Sequence, residues 1–79
     1  MTLGDNMKSY EIIRMLREDN DKKQAEIAKL LGIDQSYYSK YERGIRPFTA
    51  EQIRTLALYF QVSADYILGI PKGLKYPQR

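Results

Sequence analysis

Between Gln35 and Arg43 the sequence "QSYYSKYER" gathers side chains that donate and accept hydrogen bonds and carry positive charge. If the segment is helical, Ser36, Ser39, Lys40 and Arg43 stand at i, i+3, i+4 and i+7 and share one wholly polar face. Such a face can recognise a polar, anionic partner, or it can simply face water; spacing alone leaves both open. Covalent and acid-base chemistry find little support. The chain has neither histidine nor cysteine, so the usual zinc ligands and the usual proton shuttle are missing, which argues against a metalloenzyme or a His-dependent hydrolase. No cofactor is implied. The charge balance points the same way as the polar face. Thirteen Lys and Arg against ten Asp and Glu give a formal charge of +3. Residues 1–34 hold six basic and seven acidic side chains, whereas residues 35–79 hold seven and three. The positive field therefore lies with the polar face, as an anionic partner requires.

A polar face needs a scaffold to hold it, and the rest of the chain reads as short amphipathic helices. Ile12, Ile13 and Leu16 have helical spacing, with Ser9 as N-cap of a first helix ending near Glu18. Ile27, Ala28 and Leu31 mark a second helix, opened near Gln24 and closed by Gly32. Asp34 caps a third, running to Arg43 before Gly44. Tyr38 and Tyr41 on its other face could stack on bases, but single-strand binders present aromatics from open sheets or grooves, so core packing is the expected role. Thr49 and Gln52 form a capping-box pattern ahead of the stripe Ile53, Leu56, Ala57 and Phe60. Ser63 opens a last short helix with Ala64, Ile67 and Leu68, closed by Gly69. The expected fold class is all-α, with five helices, no strand and no internal repeat. The expected organisation is an arm over residues 1–8, one domain over 9–69 and a tail over 70–79. Seventy-nine residues suffice for one modest core. The start, "MTLGDNMKS", lacks the apolar run of a signal peptide and no apolar stretch is long enough to span a bilayer, so a cytoplasmic protein with no membrane partner is expected. Glu11, Glu18, Asp19 and Asp21 are scattered acids, expected to be solvated surface.

Two short helices joined by a tight glycine-containing turn, the second with a polar outer face, make the arrangement that places a helix in the major groove. At this point the sequence resembles a known family. The run "QAEIAKLLGIDQSYYSKYERGIRP" followed by "IRTLALYFQVSADYILG" is similar to the helix-turn-helix family of lambdoid-phage repressors and Cro proteins, over about residues 10–69. The resemblance implies a compact five-helix lambda-repressor-like domain with the helix-turn-helix at helices 2 and 3. It implies a transcriptional regulator, not an enzyme, that binds a palindromic double-stranded operator. Gln35, Ser36 and Lys40 match the base-reading positions, with Ser39 adjacent as a helper, and the chemistry agrees: a Gln amide pairs with adenine N6 and N7, and Lys donates to guanine O6 and N7. Gln24 and the start of helix 2 would hold a phosphate, with Lys23 beside them, and Tyr37, Arg43 and Arg46 would meet the flanking backbone. Tyr37 could also touch a thymine methyl. Arg17 and Glu42 match paired positions, implying an inward-facing ion pair.

The departure from the family pattern is at Asp21, Lys22 and Lys23, where the family has glycine, an apolar residue and Thr or Ser. Asp21 with Gln24 is one alternative capping box, with the Lys22 stem covering the core edge. A homodimer is expected, with Tyr66, Ile70, Leu74 and Tyr76 as its interface, and RNA polymerase or an antirepressor as further protein partners. The competing class is a protein-interaction module, such as an antitoxin, that uses the fold mainly to hold another protein.

Overall fold

The computed structural model describes residues 7–70, and among them five helices and no strand: α1 (Ser9–Asp19), α2 (Gln24–Leu31), α3 (Gln35–Glu42), α4 (Ala50–Phe60) and α5 (Ala64–Leu68). Each apolar stripe turns inward. Ile13, Ile27, Tyr38, Leu56 and Ile67, one from each helix, are the largest fully buried side chains, so a single core is assembled from all five elements. Ile12, Leu16, Ala28, Ile53 and Ala57 complete it, and Phe48, Phe60 and Val62 pack at its edge. α2 packs on α3, α1 on α3 and α5, and α4 on α5. No described helix is long and apolar enough to cross a membrane. The expected arm falls mostly, and the tail almost wholly, outside the described residues.

Caps set the helix limits. Thr49 and Gln52 form the anticipated reciprocal box, Thr49 N donating to Gln52 Oε1 at 2.8 Å and Gln52 N to Thr49 Oγ1 at 3.1 Å. Asp34 accepts from Tyr37 N at 2.9 Å, and Ser63 accepts from Tyr66 N at 3.1 Å. Two sequence expectations are corrected. α1 is capped one residue earlier, at Lys8, because Glu11 Oε1 takes the Lys8 backbone N–H at 2.7 Å. Helix 2 has no Asp21–Gln24 box: Lys23 is the N-cap, and its N–H goes to Glu26 Oε1 at 2.9 Å. A carboxylate at the third helical position performs the task in both places, and it requires no particular side chain at the cap. Asp21 serves otherwise, with φ of 56° turning the chain between α1 and α2.

Gly44 ends α3 with φ of 78°, and a Cβ there would stand 2.6 Å from Tyr10 Cζ. Backbone conformation and close approach both require glycine at this point. The Tyr10 ring thus packs against the turn that leaves the third helix.

Candidate nucleic-acid interface

The polar face of α3 is built by burying the opposite one. Tyr38 is fully buried and Tyr41 nearly so; Tyr41 stacks on Phe48 at 5.2 Å between centroids, and Tyr38 meets the same ring edge-on at 6.3 Å. With those two rings fixed, Gln35, Ser36 and Lys40 are exposed and Ser39 is half-buried beside them. The structure therefore places all four side chains expected to read bases on one surface. Ser36 is already committed in part: its hydroxyl donates to Asp34 Oδ1 at 2.7 Å, leaving the oxygen as an acceptor for an amino donor. The same bond, followed by the Tyr37 N–H, holds the Asp34 carboxyl below its ordinary range.

A cationic cluster follows at the end of α3. The Arg46 guanidinium lies 5.1 Å and the Lys40 ammonium 5.9 Å from the centroid of the Tyr37 ring, distances at which a cation is held by the ring face. Tyr37 itself rests edge-on against Tyr41 at 5.5 Å. Arg43 caps the helix and donates through Nε to Ser39 O at 3.3 Å, which leaves its terminal nitrogens outward. Lys23, Arg43 and Arg46 are exposed, while Gln24 and Tyr37 are half-buried. No acidic residue occupies the first turn of α3, and the one acid at its start, the capping Asp34, is engaged by the Ser36 hydroxyl and the Tyr37 N–H.

The acid at the other end of α3 is turned away from this face. Glu42, 4% exposed, receives Arg17 Nε on Oε2 at 2.7 Å and Arg17 Nη2 on Oε1 at 2.9 Å. Two further donors complete it: the Tyr38 hydroxyl on Oε2 at 2.7 Å and Gln24 Nε2 on Oε1 at 3.0 Å. The remaining arm of Arg17, Nη1, donates to Lys22 O at 2.8 Å. Burial alone would raise the carboxyl of Glu42, but the hydrogen bonds from Arg17, Tyr38 and Gln24 outweigh it and the net direction is downward. Burial and the bond to Glu42 raise Tyr38 well above the ordinary phenol range. Bonding to Glu42, working against burial, raises Arg17. Sequence reasoning assigned Tyr38 to the core and missed its hydroxyl; the Tyr38–Glu42 spacing of four was the available signal.

On α5 and just after it, Tyr66 and Ile70 are exposed, at 46% and 41%. Leu74 and Tyr76 lie outside the described residues. Leu68 is 49% exposed and Leu58 73% exposed. Both line a groove of about 600 Å3 between α4 and α5, with Phe48, Ala57 and Val62. Among the described residues no cluster of acids is arranged to hold a metal ion.

Comparison with known proteins places this architecture. No curated protein sequence matches the chain. Among solved structures, the chain is similar to the phage P22 c2 repressor, crystallised in complex with a synthetic operator. The TM-score is 0.73 at 27% identity, over 84% of this chain and 100% of the repressor chain. Residues 13–67 match the helix-turn-helix family, from the middle of α1 into α5, and the chain belongs to that family.

Proposed function

We propose that the chain is a sequence-specific DNA-binding regulator of the repressor type, which inserts α3 into the major groove of an operator. One observation carries the reading: a short helix whose buried face is locked by Tyr38 and Tyr41 presents Gln35, Ser36, Ser39 and Lys40 outward, with the cations Arg43 and Arg46 at its end. Family membership and the likeness to a repressor bound to operator DNA support it. Gln35 and Lys40 read bases, Ser36 and Ser39 assist, and Lys23, Gln24, Tyr37, Arg43 and Arg46 hold the sugar-phosphate backbone. The protein acts by binding rather than catalysis, and it acts in the cytoplasm, where duplex DNA is found. Titration with a random duplex at several salt concentrations is the test. Affinity should fall on a log-log plot with a slope of about −0.9 per phosphate neutralised; a chain that binds no duplex at low salt is instead a protein-binding module of the antitoxin kind.

The working unit is a two-fold dimer reading an inverted repeat, its half-sites about one helical turn, roughly 34 Å, apart. Exposed apolar surface at Tyr66 and Ile70, close in sequence to the exposed Leu68, supports an interface around α5, to which Leu74 and Tyr76 contribute. Sedimentation equilibrium with a palindromic duplex decides it, since one monomer per duplex at saturation contradicts the dimer.

A further inference from the structure

We propose that Glu42 is a positioning residue for DNA, orienting the Gln24 amide at the start of α2 towards a backbone phosphate; the inference rests on the DNA-binding reading above. Two oxygens of one buried carboxylate accept four donors, two from Arg17 and one each from Tyr38 and Gln24. An ionised carboxylate is the side chain with acceptor sites for all four. Arg17 and Tyr38 already supply three of them, so burial of the charge does not depend on Gln24. The effect of the fourth bond falls on Gln24 itself. One N–H of its amide is fixed on Oε1 at 3.0 Å, which fixes the amide plane and sets the direction of the other N–H. That second N–H makes no bond among the described residues, and it belongs to the first residue of an eight-residue helix whose dipole favours an anion there.

The arrangement also ties two parts of the interface together. Glu42 is the last residue of α3, and Arg17, which grips it, reaches with its third nitrogen to Lys22 O, just ahead of α2. The phosphate anchor and the reading helix are thereby held at one spacing by one guanidinium and one carboxylate. A donor oriented before the phosphate arrives loses less rotamer freedom on binding than a mobile one.

The test is a double-variant cycle of random-duplex affinity with Glu42→Gln, Gln24→Ala and the pair, alongside the unaltered chain. A lost hydrogen bond to a charged group corresponds to about tenfold or more in affinity. Gln24→Ala should show that loss, Glu42→Gln should show much of it, and Glu42→Gln should cost nothing further once Gln24 is gone. The charge removed at position 42 acts alike in both backgrounds and cancels. Losses that simply multiply overturn the positioning role, because a merely structural carboxylate weakens binding whether or not Gln24 is present. Should Glu42→Gln fail to fold, relaxation of the Gln24 side-chain amide in the unaltered protein without DNA replaces it. An order parameter close to the rigid backbone value of about 0.85 supports the proposal, and one below about 0.6 overturns it. If the unaltered protein binds no duplex, the DNA reading itself fails, and the proposal with it.

Discussion

Arg17→Ala should be among the most destabilising single substitutions in this chain, and the reason lies in what it strands. The Glu42 side chain is 3% exposed and that of Arg17 12%, so removing the guanidinium leaves a carboxylate with two neutral donors and almost no water. Breaking a buried pair in this way costs about 3–5 kcal/mol. A domain of this size has roughly 4–12 kcal/mol of total stability, and each kcal/mol moves its melting midpoint by about 4–8 °C. Midpoint losses of about 12 °C or more are therefore expected in thermal unfolding. Glu42→Ala should cost at least as much, because it also strands the Tyr38 hydroxyl on a fully buried ring and opens a cavity. Removing both charges should cost less than the two single changes added together; a coupling energy near zero would refute the reasoning. Acid provides a second reading of the same pair. The folded carboxyl of Glu42 lies below its unfolded value, so its contribution is complete above about pH 4.3 and is lost as pH falls through the folded value. Glu42→Gln, which carries no titrating group there, should show a shallower loss of stability in urea between pH 5 and the acid limit.

Gln35→Ala and Lys40→Ala should each weaken operator binding by about 1–3 kcal/mol while leaving random-duplex affinity nearly unchanged; equal proportional losses on both duplexes would remove these residues from the reading face. Arg43→Ala and Arg46→Ala should lower affinity for all sequences and flatten the salt slope by about 0.9 each, measured by titration across a salt series. Gly44→Ala should destabilise by about 1–3 kcal/mol, since it combines a positive φ with a 2.6 Å approach to Tyr10. Shortening Tyr10 should recover part of that cost in chemical unfolding, and full additivity of the two changes would show that the ring is not what the new methyl meets.

Much of this structure was legible because helical spacing and caps are local properties. The stripes at Ile12, Ile13 and Leu16, and at Ile53, Leu56 and Ala57, needed only periodicity, and Asp34, Thr49 and Ser63 announced three helix starts by side-chain chemistry. Lys8 and Lys23 gave no such signal. At both, the cap is a backbone N–H taken by a glutamate three residues on, and the pattern is visible only when the glutamate is read first. In α5, Ile67 is fully buried while its neighbour Leu68 is half exposed, since periodicity identifies an apolar side chain but not which neighbours remain to cover it. The four-donor set on Glu42 lay further from reach, since it joins residues 17, 24, 38 and 42 from three helices; family resemblance offered the pairing with Arg17, the spacing of four offered Tyr38, and nothing local pointed to Gln24.

The two faces of α3 also make stability and recognition largely separable. Tyr38, Tyr41 and Glu42 hold the helix through buried rings and a buried charge, so changes there are felt by the whole domain. Gln35, Ser36 and Lys40 are exposed, and substitutions at such positions usually stay within about 0.5 kcal/mol of neutral for stability. On the proposed reading, operator preference can therefore change by substitution on the outer face while the fold is kept. Gln24 is the point where the two proposed roles meet, because one N–H of its amide bonds the buried carboxylate and the other belongs to the surface proposed to face DNA.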